Sequence, residues 1–335
     1  MNNKHEYQSF IGSILKSVSR SFYLSMRVLP HGMREDVSLA YLLARAADTL
    51  ADSPTIEIER RLQLIQTFQT QTGPAICKAL APAINSEEIS MLPHAGEKIL
   101  LEKLPLIFQW LNQLDLPRRR LINQVLHTLL QGMMFDLLSF QTNTKSTITC
   151  LTQAHELETY TYNVAGCVGE FWTEISLYHF PQLKSKLGEK QTQEAIKFGK
   201  ALQLTNILRD LRKDMENQRC YLPQHTKTID AEQIEQLLKS PEFHQQKQIW
   251  LDTASNYFSS AENYLLSLPR LAYRLRLAAL WPLIIGLATL SRIQTETSHQ
   301  AIKVNRRFVY LMMFKSLTCV LSNTCLRRWM TQYRR

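Results

Sequence analysis

The chain has 335 residues, enough to bury a large core in one or two domains. Only ten Gly and twelve Pro are present, and apolar residues recur at helical rather than alternating spacing, which disfavours a β-rich architecture and leaves an all-α fold. A formal charge of +10 calls for anionic partners. The basic residues are dispersed, with no C2H2 spacing, basic zipper region or aromatic RNA-binding motif, so nucleic acid is not expected and an acidic membrane surface or a phosphorylated substrate remains.

The opening run MNNKHEYQSF lacks the charged-then-apolar layout of a signal peptide, which favours a cytoplasmic location. A first helix is expected over roughly 10–30, carrying SRSF and ending near Pro30, and a second over 35–52, stopped by Ser53 and Pro54. Further periodic stretches cover roughly 56–70, 97–113, 117–140, 151–179, 190–217, 245–266, 271–292 and 303–330. No repeat or low-complexity linker interrupts them, so residues 1–335 read as a single domain. The cysteines Cys77, Cys150, Cys167, Cys220, Cys319 and Cys325 form no CxxC pair, so neither a zinc site nor a disulfide framework is expected. The run Leu277–Leu290 is apolar for 14 positions, short of the roughly 20 residues a membrane span needs; it reads as a buried core helix kinked at Pro282. The amphipathic segment over about 305–330, interrupted by Lys315 and ending in arginines, suits peripheral contact with a membrane.

Two helices carry polar residues that an apolar helix would not tolerate without a purpose. In SLAYLLARAADTLAD, the residues Tyr41, Arg45, Asp48 and Asp52 fall at i, i+4, i+7 and i+11, on one stripe among Leu, Ala and Thr. Burying an arginine and two carboxylates costs several kcal/mol each unless they are paired, so the stripe is expected to line a cavity. Taken alone, the same residues fit an Arg45–Asp48 pair with Asp52 solvated near the helix end. Downstream, FGKALQLTNILRDLRKDMENQRCYLP places Gln203, Asn206, Asp210 and Asp214 on one face of another helix. Carboxylates one turn apart suit Mg²⁺, with Mn²⁺ as a substitute, because such a cation is held by one or two carboxylates and completed by water and phosphate oxygens. Arg45, Arg209, Arg212 and Arg219 lie near enough in sequence to stabilise a departing diphosphate.

These segments resemble the squalene/phytoene synthase family, the squalene branch most of all. The resemblance runs through SRSF (19–22), YLLARAADTLAD (41–52), YTYNVAGCVG (160–169), LQLTNILRDLRKD (202–214) and RCYLP (219–223), in the family's order and spacing. It implies a helical isoprenoid synthase fold with a central apolar cavity. It assigns Asp48, Asp52, Asn206, Asp210 and Asp214 to metal and diphosphate on opposite walls. Ser19, Arg20, Ser21, Phe22, Tyr41, Arg45, Val164, Ala165, Gln203, Arg209, Arg219 and Tyr221 are assigned to substrate, and Tyr160 to proton handling. A lesser alternative for Tyr160 is a buried ring making a single structural hydrogen bond, and on physical grounds alone Ala165, Gly166 and Gly169 could equally serve close helix packing. The implied reaction joins two farnesyl diphosphates through a cyclopropyl diphosphate and, in squalene synthases, ends with hydride transfer from NADPH. No GxGxxG occurs, so NADPH would use the family's own mode; Lys303 and Arg306, with Arg307, resemble its basic segment, while Asn305 departs from it. Readings that stop at dehydrosqualene, phytoene, hydroxysqualene or the cyclopropyl intermediate stay open, as does a non-catalytic scaffold of the same fold. The sequence leaves the oligomeric state open.

Overall fold

The structure, a computed structural model, describes residues 12–19, 22–70, 84, 86–141, 146–295 and 304–334. It is built of helices with one small sheet, as the all-α expectation requires. The chain groups into two compact units, one of residues 1–137 with 174–179, the other of residues 138–173 with 180–335.

The first unit opens with α1 (12–18) and α2 (Phe22–Val28) in place of the single helix expected there. Helix α3 (His31–Ala51) follows directly on Pro30, whose fixed φ suits a helix start. Its Leu39, Leu42, Leu43, Ala46, Ala47 and Leu50 are fully buried, so the helix forms the centre of its unit. It is capped by Asp52, and Arg61 Nη1 donates to the Ala51 carbonyl in its last turn at 3.0 Å. Helices α4 (Ile58–Thr70), α5 (Ser86–Ser90), α6 (Ala95–Glu102), α7 (Leu104–Gln113) and α8 (Leu116–Ser139) follow, and α2, α4, α6 and α7 pack on α3. The helix expected over 97–113 is divided at Lys103 because Pro105 occupies the first turn of α7 and can donate no backbone hydrogen bond. The start of α3 is anchored by Asp36, fully buried, which accepts from His179 Nε2 at 2.7 Å and from Arg118 Nη1 at 3.5 Å. Burial pushes the Asp36 carboxyl up, and these two partners oppose that shift.

The second unit contains β1 (Thr147–Cys150), α9 (Ala154–Thr161), a π-helical segment (Tyr162–Gly166) and the start of α10 (Cys167–His179), whose last six residues group with the first unit. It continues through α11 (Glu189–Glu216), β2 (Arg219–Cys220), β3 (Thr228–Asp230), α12 (Ile234–Lys239), α13 (Pro241–Ser267) and α14 (Tyr273–Thr295). Helix α11 is its spine, packed by α13, α14, α9 and the π segment. Gly199 of α11 sits so close to the Ala165 backbone that a Cβ there would lie 2.1 Å from the Ala165 carbonyl oxygen. The small residues around 165–169 therefore serve close packing, and the π segment widens the helix at the same place. The sheet runs β2-β1-β3, with Thr149 beside Arg219 in the parallel pair and beside Thr228 in the antiparallel one. Strands of two to four residues are too short to display alternation, which is why the sequence pattern does not announce them.

Helix α14 is long and apolar enough to cross a membrane, but 72% of its most apolar window is buried inside the protein, as expected of a core helix. The final amphipathic segment is two helices, α15 (Arg306–Cys319) and α16 (Asn323–Thr331). The Ser322 hydroxyl accepts from Cys325 N–H at 3.3 Å and so starts α16 afresh. A disulfide joins Cys319 to Cys325 across that turn, which corrects the expectation of none; a search for CxxC overlooks a pair six residues apart.

Candidate active site

On α3, Tyr41, Arg45, Asp48 and Asp52 share the expected stripe. The Tyr41 hydroxyl donates to the Val18 carbonyl at 3.1 Å, fixing the ring against α1. Arg45 Nη1 meets Asp48 Oδ2 at 2.5 Å and Nη2 meets Glu97 Oε1 at 2.5 Å, so the guanidinium is shared between two carboxylates. Arg45 Nε is buried and has no hydrogen-bond partner among the described residues. Asp48 keeps 40% of its side-chain area accessible yet lies deep among protein atoms. That desolvation, with repulsion from Asp52, pushes its carboxyl up to about 6 despite the attraction of Arg45. A buried carboxylate with a second one a turn away is chemically suited to share a cation with it. Glu97 escaped the sequence reading because AGEKILLE carries no motif and lies 52 residues from Arg45.

On α11, Asn206, Asp210 and Asp214 lie at i, i+4 and i+8, with Gln203 one turn earlier. Asn206 is exposed and the two aspartates half-buried, whereas Leu204, Ile207, Leu208 and Leu211 between them are buried. The spacing thus produces one polar face on a helix whose other faces pack. Arg209 grips its neighbour Asp210 with two bonds, Nε to Oδ1 at 3.0 Å and Nη2 to Oδ2 at 2.5 Å. Arg212 turns elsewhere, to Glu216 and Glu235. Arg212 lies off the acidic stripe, and these partners make it a surface charge rather than a group beside the ladder. A turn before Gln203, Lys200 pairs with Glu158, which also accepts from the Tyr257 hydroxyl at 2.9 Å, so α9, α11 and α13 are pinned together beside the ladder. This network has no sequence signature.

After α11 the backbone passes through Gln218 at φ 65°, a left-handed conformation that reverses the chain into β2. The turn brings Arg219 and Tyr221 back toward α9: the Tyr160 and Tyr221 rings stack at 5.1 Å, with Phe140 edge-on to Tyr221 at 4.8 Å. Tyr160 is 7% exposed, and Val164 and Ala165 are half-buried in the π segment. Ser19 is buried, its hydroxyl donating to the Leu15 carbonyl. Arg20, Ser21 and Lys303 lie outside the described residues, and Phe22 enters only through its backbone at the start of α2. Arg306 and Arg307 are exposed in the first turn of α15, where Asn305, the departure from the basic pattern, caps the helix by accepting from Phe308 N–H at 2.8 Å.

A solved structure of TcSQS in complex with the ligand BPH1237 superposes with a TM-score of 0.74 at 21% identity, covering 98% of this chain and 90% of the other. A dehydrosqualene synthase structure gives a TM-score of 0.59 at 19% identity over 94% and 97% of the two chains. These likenesses establish the fold. In sequence, the chain is 31% identical over 214 residues to the bifunctional lycopene cyclase/phytoene synthase of Gibberella fujikuroi, a match covering 63% of this chain and 34% of that protein. It is 24% identical over 315 residues to squalene synthase ERG9 of Saccharomyces cerevisiae, covering 91% and 66%. The chain thus spans about a third of the bifunctional relatives and about two thirds of the yeast protein. The model of the Squalene/phytoene synthase family, a family of prenyltransferase-type enzymes, matches residues 15–311. With that match over most of its length, and both acidic ladders in place, the chain belongs to the squalene/phytoene synthase family.

Proposed function

We propose that the protein is a Mg²⁺-dependent squalene synthase that condenses two farnesyl diphosphates head to head, through presqualene diphosphate, and reduces the product with NADPH. The observation that carries the reading is the pair of aspartates one turn apart on each of two largely apolar helices, each with an arginine bonded to its first acid. Among the described residues no three acidic, histidine or cysteine groups converge to hold a metal unaided. That fits Mg²⁺, which takes one or two carboxylates and leaves the remaining positions to water and phosphate. Bound magnesium would neutralise the charge growing on a departing diphosphate. The partnerless Nε of Arg45 suits an anionic substrate, since a phosphate oxygen would satisfy it. Loss of diphosphate from one farnesyl leaves an allylic cation, the double bond of the other attacks it, and a proton is then lost to close the cyclopropane. Tyr160, held by its stack on Tyr221, is the proposed proton-handling group. The second diphosphate then leaves, the skeleton rearranges, and hydride from NADPH quenches the cation. Arg306 suits the nucleotide's phosphates by charge, as does Lys303 from its place in the sequence.

Metal affinity carries a pH signature. Ionisation of Asp48 must precede metal binding, so the affinity of the metal-free protein for Mg²⁺ should rise as the pH climbs to about 6 and level off above it. Calorimetric titrations across that range test this; a flat profile removes Asp48 from the metal site.

Contact with a membrane is proposed through α15. Tyr310, Phe314 and Leu317, at helical spacing along α15, are 63–74% exposed, with Leu311 beside them and exposed Leu321 in the turn that follows. The exposed Arg307, Arg327 and Arg328 on α15 and α16, within a chain of net charge +10, select an anionic lipid surface. Phe314→Glu should weaken partitioning onto phosphatidylglycerol vesicles by about tenfold or more, since one buried aromatic contributes roughly 1.5–3 kcal/mol. Co-sedimentation is the measurement, and unchanged partitioning would show that the stripe faces something else.

A second reading, a phytoene or dehydrosqualene synthase that needs no reductant, is favoured by the 31% identity to phytoene synthase-containing proteins. The purified chain, incubated with Mg²⁺ and either farnesyl or geranylgeranyl diphosphate, with and without NADPH, separates the two. Squalene formed only with NADPH supports the proposal; a hydrocarbon product indifferent to NADPH, or phytoene from the longer donor, overturns it.

A further inference from the structure

In the second unit a hollow of about 580 Å³ opens between the start of α11, the end of α13 and the start of α16. Its wall includes Lys184, Lys186, Arg270, Ser185, Ser267 and Asn323. Gln191, also in the wall, and Asp210 are about 28 Å apart along α11, so the hollow is remote from the α11 acids. None of Lys184, Lys186 and Arg270 takes part in an ion pair among the described residues.

Directly behind this wall lies Arg276 of α14, with no exposed surface. Its Nη2 donates to Asn323 Oδ1 at 2.6 Å and its Nη1 to the Leu268 carbonyl at 3.4 Å, both acceptors being wall residues. Its Nε is buried and has no hydrogen-bond partner among the described residues. These bonds tie the end of α13 to the start of α16, which gives the side chain a structural role. They do not account for its charge, because both acceptors are neutral. A buried guanidinium without a counter-ion is costly. Around it the protein adds more positive charge, with Arg270 close enough to repel it.

We propose that this hollow is a second anion site that binds a phosphate or diphosphate group, carried by a soluble metabolite or by a lipid headgroup. Arg270, Lys184 and Lys186 would be its direct ligands, and Arg276 the buried charge behind them. The Asn323 amide NH2, whose oxygen accepts from Arg276, supplies a further donor, whereas the Ser267 and Ser185 hydroxyls donate to the Tyr264 and Gln182 carbonyls. The volume exceeds what a bare phosphate needs, so the group is expected to carry a larger organic body.

The test is calorimetric titration of the full chain with inorganic pyrophosphate in EDTA, where the acidic ladders have no metal and repel the anion. Saturable binding is expected, weakened about tenfold or more in the Lys186→Ala/Arg270→Ala double variant, since one charge-assisted hydrogen bond contributes roughly 1.5–3 kcal/mol. Both residues are exposed, so the fold should persist. Arg212→Ala, which removes a charge engaged with Glu216 and Glu235, should leave binding unchanged. Two further arms identify the source: glycerol 3-phosphate in the same titration, and vesicles of phosphatidylcholine with and without phosphatidic acid. Vesicle binding that depends on phosphatidic acid and falls in the double variant assigns the headgroup; loss confined to the soluble anions assigns a metabolite. Absence of saturable pyrophosphate binding in EDTA, or equal binding by wild type and double variant, overturns the proposal. Its failure would leave the condensation assay, which uses Mg²⁺ and farnesyl diphosphate, untouched.

Discussion

Asp48→Asn, and separately Asp210→Asn, should each lower kcat by about a hundred- to a thousandfold while the protein stays folded. Each substitution keeps the size of the side chain and removes a charge from one acidic pair. In Asp48→Asn the loss bears on the Asp48 carboxyl, which burial and repulsion from Asp52 push up to about 6. Relieving that repulsion should leave thermal stability equal or higher, so lost turnover cannot be blamed on unfolding. In Asp210→Asn the partner set free is Arg209, an adjacent and partly exposed residue, and such pairs contribute only about 0–1 kcal/mol. Steady-state kinetics with farnesyl diphosphate and Mg²⁺, beside circular dichroism melting curves, check both halves. A variant that retains full activity removes its helix from the catalytic site. Partial rescue by excess Mg²⁺ would add that the missing charge acted on metal rather than on substrate.

Legibility in the sequence followed the range of the interactions. The two ladders were readable because each lies within one helix, where a 3.6-residue period turns spacing into a shared face; Tyr41 to Asp52 and Gln203 to Asp214 needed no knowledge of the rest of the chain. The family resemblance rested on the same local runs. Contacts made across long sequence separations were invisible. Glu97 reaches Arg45 over 52 residues, the Glu158–Lys200–Tyr257 network spans three helices, and Tyr160 finds Tyr221 only because Gln218 turns the chain back. Breaks in helices were missed where a single residue decides them: Pro105 in the first turn of α7, and Ser322 capping α16. The disulfide belongs with these, since Cys319 and Cys325 meet only because the helix between them ends.

Gly169→Ala should destabilise the protein by about 2–4 kcal/mol, the cost of overpacking a core that cannot relax. A Cβ at that position would lie 1.9 Å from the Ala195 carbonyl oxygen and 2.4 Å from its carbon. Both are backbone atoms of α11, so no rotamer change can make room. The helices must separate by an ångström or more, and the neighbouring approach of Gly199 to Ala165 would open with them. That second contact lies one turn from Gln203, on the helix that carries Asn206, Asp210 and Asp214. Activity should therefore fall together with stability, unlike in Asp210→Asn, where only activity falls. Gly12→Ala is the matched control: among the described residues a Cβ there meets nothing within 4 Å, and the higher helix propensity of alanine should make it neutral or stabilising by up to about 1 kcal/mol. Urea denaturation of the two variants compares them directly. Equal midpoints would mean that α10 and α11 do not touch through Gly169, and the close packing of α11 on α10 and the π segment would lose its physical basis.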